Sequence, residues 1–391
     1  MNSPVRLGIV GLGNMGNSHA QQILQGKVPR MDLGAVCDTN PEMLKRCANT
    51  PGFASHQEML ASGKIDAVLV ATPHYDHTTI GINAIAAGIH TLIEKPLSVH
   101  KADCQKLIAA YEKRSRKDLV FAEMFNQRTD PRYRKLRDLL QSGELGEIRR
   151  VNWIITDWYR TEAYYSSGGW RATWAGEGGG VLMNQCPHQL DLMQWMFGLP
   201  KKVRAHCQFG KWHDIEVEDA CTAYLEYANG ATGVFITTTG EAPGTNRLEV
   251  ATDRGRVVVE GDGLQWTRNA VLTSEHLKTS KNGFGTPERW EVKIPTSGWG
   301  GQHNEVLQNF ADAILDGKAL IGPAVDGING VELGNAMLMS TLWDRTVELP
   351  LDAAQVSAEY SKLIAKSRHK KQQTAAASSS DFANSTKGLA K

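Results

Sequence analysis

Residues 5–16 read Val-Arg-Leu-Gly-Ile-Val-Gly-Leu-Gly-Asn-Met-Gly. A short apolar strand ends there in three glycines spaced G-x-G-x-x-G, and residues 17–25 follow with helical character. This order narrows the choice of fold more than any other segment. Gly11 permits the tight turn, Gly13 lets a backbone approach a pyrophosphate, and Gly16 allows close packing of helix on sheet. The helix N-terminus then faces phosphate charge. A second strand, residues 33–37, closes on Asp38. A carboxylate at that place accepts hydrogen bonds from ribose hydroxyls and repels a 2′-phosphate, so the pattern predicts NAD rather than NADP.

The same rhythm continues. Residues 67–71 form a buried strand ended by Thr72-Pro73, residues 78–87 have helical spacing up to Gly88, and residues 91–93 lead into Glu94-Lys95-Pro96. Strands alternating with helices predict a parallel, doubly wound sheet, with ligands at the carboxyl ends of its strands. After about residue 125 the pattern changes. A helix at residues 131–141 precedes strands at 149–156, 202–210, 220–227, 232–239, 247–252 and 256–260. Asn229-Gly230 and Asp253-Arg254-Gly255 are hairpin turns, which predicts a large, mostly antiparallel second sheet. Helices at 303–315 and 331–345 follow, and from residue 366 a Lys/Ser/Ala-rich stretch without periodicity is expected to be disordered. The expectation is an α/β chain with a Rossmann domain at 1–125, an α+β domain at 126–355 and a tail at 366–391. A formal net charge of +1 gives no electrostatic case for nucleic acid or an acidic membrane. Six scattered cysteines without a C-x-x-C pair, a short N-terminus with no room for a signal peptide and no long apolar run predict a cytoplasmic protein.

Three groups of residues suggest chemistry. Lys95, its backbone constrained by Pro96, sits at the mouth of the parallel sheet, where an ammonium can stabilise developing alkoxide charge. In isolation it would be read as a solvated surface lysine; its position reverses that. Asn184, His188 and Asp191 are spaced i, i+4 and i+7, one face of a helix, although Pro187 fits best at a first helical position or a kink. His188 is the natural acid/base, with Asn184 or Asp191 to orient its ring. The aromatic-rich stretch from Trp153 to Trp174 suits a sugar ring or a packed core, with Tyr159, Trp170 and Arg171 as candidates for gripping a substrate. His74, Asp76 and His77 invite a metal, but with no further ligand to name, turn and capping roles are preferred and no metal is expected.

Together Gly11–Gly16, Ala71-Thr72-Pro73 with His77, Glu94-Lys95-Pro96, Trp170-Arg171 and the stretch GGGVLMNQCPHQLD resemble the Gfo/Idh/MocA oxidoreductases, over residues 4 to about 352. The resemblance implies a cofactor set of Gly11, Gly13, Asn14, Met15, Gly16, Asp38, Thr72, Pro73, His77, Glu94, Lys95, Gln127, Trp170 and Arg171. It implies that Lys95 and His188 flank the nicotinamide, and that Tyr159, Arg171, Asn184 and Gln185 join them at the substrate. Many members carry an aspartate where this chain has Asn184, which can orient a ring but brings no charge. The resemblance further implies a homodimer or homotetramer built through the C-terminal sheet. Residues 170–189 look most like the branch acting on sugars and glycosides, such as levoglucosan and glycoside 3-dehydrogenases. The expected activity is NAD-dependent oxidation of a secondary hydroxyl. The alternatives are glycoside cleavage by transient oxidation and a non-catalytic regulator.

Overall fold

The computed structural model describes residues 3–367, so the expected tail at 366–391 lies, but for its first two residues, outside the described residues. Strands β1 (Val5–Val10), β2 (Met31–Cys37), β3 (Gly52–Phe53), β4 (Ala67–Val70), β5 (His90–Ile93) and β6 (Phe121–Glu123) form one parallel sheet in the order β3-β2-β1-β4-β5-β6. The order reverses between β1 and β4, the crevice where such sheets bind ligands. β1, β4 and β5 are buried nearly throughout, which is why they read as continuous apolar runs rather than alternating ones.

The second sheet has nine strands: β7 (Ile148–Ile155), β8 (Lys202–Phe209), β9 (Glu218–Glu226), β10 (Thr232–Thr238), β11 (Asn246–Thr252), β12 (Gly255–Glu260), β13 (Gly263–Asn269), β14 (Arg289–Ile294) and β15 (Val347–Glu348). Their order is β14-β13-β12-β11-β7-β10-β9-β8-β15, antiparallel except where β10 runs parallel to β7. Alternation is clean here: in β9 Cys221, Ala223 and Leu225 are buried while Thr222, Tyr224 and Glu226 are exposed. Helices Pro187–Phe197 and Gly327–Leu342 share the buried core with Trp153, Phe235 and Leu248 of this sheet. The opposite face carries exposed His206, Thr222 and Tyr224 beside half-buried Ile154, Val234 and Ile236.

Short or polar elements escaped the reading of periodicity: β3, β6, β13, β14 and the helices Lys101–Glu112 and Ala353–Lys366. Helix starts also shift. The first helix begins at Asn14 and the fourth at His74, so Asn14, Met15, Gly16 and His77 lie within helical first turns. One helix crosses over. Gln302–Asp316 buries Val306, Leu307, Phe310 and Ala311 against Leu7, Ile9 and Leu12 of the first sheet and its turn.

Candidate active site

The glycine turn takes the shape its sequence requires. Gly11 has φ +89°, and a Cβ there would lie 2.6 Å from the Ala71 carbonyl oxygen. A Cβ on Gly16 would run into the Gly11 carbonyl, whereas one on Gly13 would meet nothing within 4 Å. Two of the glycines are therefore needed by the protein itself, and the third opens a space. Asp38 stands beside that space: its Oδ2 accepts the Leu12 N–H at 2.8 Å and its Oδ1 the Asn40 N–H at 2.8 Å. Each carboxylate oxygen keeps a further lone pair for a ribose hydroxyl. Thr72 Oγ1, against the same turn, is buried without a hydrogen-bond partner among the described residues. These features fit a dinucleotide: the first-helix N-terminus with Gly13, Asn14 and Met15 would take the pyrophosphate, and Asp38 the ribose.

The loop after β5 is braced from several sides. Glu94 Oε1 lies 2.6 Å from His19 Nε2, and Glu94 Oε2 accepts the Lys95 N–H at 3.2 Å. Burial pushes the Glu94 carboxyl up, but the His19 hydrogen bond and the neighbouring His19, His303 and Lys95 charges outweigh it and hold it at about 2. The His77 ring sits between the carbonyls of Pro96 (2.8 Å) and Thr72 (3.0 Å), tying the loops after β4 and β5 together. His74 Nδ1 meets the Glu177 carbonyl at 3.0 Å. Both histidines of the His74, Asp76 and His77 cluster are thus engaged by main-chain oxygens.

From this loop Lys95 reaches into the other half of the molecule. Its Nζ donates to the main-chain carbonyl of Asn184 at 2.8 Å. Burial lowers the ammonium's pKa; the Glu94 carboxylate opposes the drop and the Arg171 charge adds to it. Asn184 lies in a π-helical turn, Val181–Gln185, and Pro187 opens a separate helix with His188 in its first turn. Burial, with the charges of Lys95 and His303, pushes His188 well below the usual imidazole range, so the ring is neutral at physiological pH. A neutral imidazole beside a half-buried ammonium can take a proton from a hydroxyl whose oxygen the ammonium holds.

The expected partners of His188 do other work. The Asn184 side chain donates to Glu177 Oε1 and to the Tyr164 hydroxyl (3.3 Å) rather than to the ring. Asp191 is buried against Arg128, accepting from Nε at 2.8 Å and Nη2 at 2.6 Å. His188 Nδ1 has no partner among the described residues. The single helical face expected for Asn184, His188 and Asp191 is broken at Pro187, because proline has no N–H to continue the turn before it. Gln185 Nε2 (3.1 Å) and Arg171 Nη1 (2.9 Å) converge on the Tyr164 hydroxyl. Trp170 packs edge-on against His74, with ring centroids 5.6 Å apart, and the Arg171 guanidinium lies 4.6 Å over the Trp170 ring. Gln127 accepts from Gln189 at 2.9 Å, and Tyr159 is exposed. Glu177, which gathers Asn184, the Ala172 N–H and Arg171, was missed, as were His19 and His303. Only the place of Glu177 just ahead of the glycine run could have drawn attention to it.

Residues 5–122 match the model of the oxidoreductase family with an NAD-binding Rossmann fold, and residues 133–258 match the GFO/IDH/MocA C-terminal domain. The chain belongs to the GFO/IDH/MocA oxidoreductase family. It is 30% identical to the D-glucoside 3-dehydrogenase of Escherichia coli K12, over 89% of this chain and 98% of that one. It is 24% identical to the myo-inositol 2-dehydrogenase of Thermotoga maritima, over 88% and 98%. Among solved structures, the WlbA dehydrogenase of Chromobacterium violaceum in complex with NADH and UDP-GlcNAcA superposes with a TM-score of 0.77 at 27% identity, covering 90% of this chain and 98% of that one. The first domain is accordingly the family's NAD-binding Rossmann domain, and the chain an oxidoreductase. No helix among the described residues is long and apolar enough to cross a membrane.

Proposed function

We propose that this protein is an NAD-dependent dehydrogenase of a secondary hydroxyl in a cyclic polyol, sugar or glycoside, with Lys95 and His188 as the catalytic pair. NAD, when bound, supplies the two-electron acceptor for the hydrogen on the carbinol carbon. Lys95 donates a hydrogen bond to the substrate oxygen and stabilises the charge that grows there, in a site dry enough to make that interaction strong. His188, neutral because it is buried beside that ammonium, takes the hydroxyl proton. Asn184 acts through its main-chain carbonyl, which fixes the Lys95 ammonium. Trp170 and Arg171 close the cofactor side, and Tyr159 and Gln185 face the substrate. Asp38 selects NAD over NADP.

The observation that carries this reading is the 2.8 Å contact from Lys95 to Asn184, four residues ahead of the buried His188. The substrate class is supported by relatives named for inositol and D-glucoside. The half-buried outer face of the second sheet, with Ile154, Val234, Ile236 and Tyr224, is the surface we assign to a homodimer or homotetramer. Six unpaired, buried cysteines suit a reducing cytoplasm. The test is NADH formation from NAD with inositols, aldoses, anhydrosugars and glycosides. Appearance of NADH with one class supports the reading and names the substrate; silence across all four, with NAD bound, overturns it.

A further inference from the structure

The triplet Gly178-Gly179-Gly180 has a reason that the cofactor does not supply. A Cβ on Gly178 would run into Val99, one on Gly179 would come 2.8 Å from Met183 Cβ, and one on Gly180 would run into the main-chain oxygen of Glu218. Gly180 thus lets the chain pass directly against the start of β9. Glu218 Oε1 accepts the N–H of Gly180 at 2.8 Å and of Leu182 at 3.1 Å, the two donors that open the Val181–Gln185 turn. That turn carries the Asn184 carbonyl to which Lys95 is bonded, and it ends just before the His188 helix.

We propose that Glu218 is a positioning residue of the dehydrogenase site: its carboxylate clamps the first N–H groups of the Asn184 turn and thereby sets the place of the Lys95 ammonium. The proposal rests on the dehydrogenase reading for its effect on turnover, though not for the clamp itself. Glu218 is buried and bonds to main-chain N–H groups, so it acts on the reaction through the turn. The groups whose charge it feels or perturbs are Glu177 ahead of the glycines, Cys186 beyond the turn, Cys221 on its own strand and Tyr360 on Ala353–Lys366, none of them a cation. Burial therefore pushes the carboxyl up to about 7; hydrogen bonds from the main-chain N–H groups of Glu218 itself, Gly180 and Leu182 temper the rise, and the Glu177 charge adds to it. An ionised acceptor holds N–H donors more strongly than a neutral one, so the clamp is firm above neutrality and slack below it. His188 loses its proton at lower pH, so the two steps separate.

Glu218→Gln keeps the shape and an acceptor oxygen but cannot ionise. Expected in this variant are faster amide hydrogen exchange in peptide 179–186 relative to peptide 202–209, a kcat about fivefold lower with KM for NAD unchanged, and loss of the rise in kcat centred near pH 7. Glu218→Asp, which withdraws the carboxylate by one methylene, should speed exchange in the same peptide yet keep a pH-dependent kcat; it carries the test if the Gln variant fails to fold. Exchange and pH profile both unchanged in the variants would overturn the proposal. A wild-type protein that oxidises no polyol or glycoside, but whose 179–186 exchange responds to Glu218→Gln, would overturn the dehydrogenase reading and leave the clamp standing.

Discussion

The two sheets build their shares of the site in opposite ways. In the parallel sheet each contributing group follows its own strand: Gly11 after β1, Asp38 after β2, Thr72 after β4, Lys95 after β5. Strand direction alone delivers them to one edge. In the antiparallel half the equivalent work is done across the chain. The turn carrying Asn184 is held by Glu218, 36 and 38 residues away, and its carbonyl meets Lys95, 89 residues away. The helix carrying His188 is anchored through Asp191 to Arg128, which also reaches Asp326 at 3.0 Å. A parallel sheet supplies position by topology, whereas the second domain must supply it by buried polar contacts that can fail singly.

That difference can be broken deliberately. Lys95→Ala should lower kcat about a thousandfold, roughly 4 kcal/mol of transition-state stabilisation, with NADH affinity nearly unchanged; turnover beside a fluorescence titration of NADH checks both, and full activity would remove Lys95 from the chemistry. Arg128→Met leaves Asp191 charged and unpaired in the interior, and should cost about 3 kcal/mol of stability in urea unfolding. An unaltered midpoint would mean that the His188 helix does not depend on this pair. The glycine turn offers a sharper contrast. Gly13→Ala should keep the melting temperature and weaken NADH binding about tenfold, because the new methyl group occupies only the ligand's space. Gly16→Ala should lower both, since its methyl group meets the Gly11 carbonyl. The smallest effect is at Asp38. Replacement by Ser should improve NADP use relative to NAD by several-fold, read as the ratio of kcat/KM values; an unchanged ratio would release Asp38 from cofactor choice.

Legibility in the sequence follows the same division. The glycine turn, Asp38 and the Glu94-Lys95-Pro96 loop could be placed from neighbours in the chain, because strand, turn and helix signals are local. β1 and the helix at Pro131–Gln141 were read to the residue. β3 and β6, two and three residues long, are too short for periodicity to mark, and β14 alternates weakly because most of its residues are exposed. In the candidate site, the 184–191 stretch stood out in the sequence but the partners of its side chains did not. Spacing gives a helical face; it does not give a proline that restarts the helix, or an arginine 63 residues upstream that claims the aspartate. Glu218 carried no signal, since a glutamate at the edge of an alternating strand reads as solvated until the fold buries it.

The helix Gln302–Asp316 has a consequence for how the molecule comes into being. Val306, Leu307 and Phe310 complete the apolar layer over β1, yet they are made after most of the second sheet. As the chain leaves the ribosome, the cofactor domain has all its strands long before it has its full core. One apolar flank must stay uncovered while most of the second domain is synthesised, so completing the cofactor domain's strands early does not complete its core.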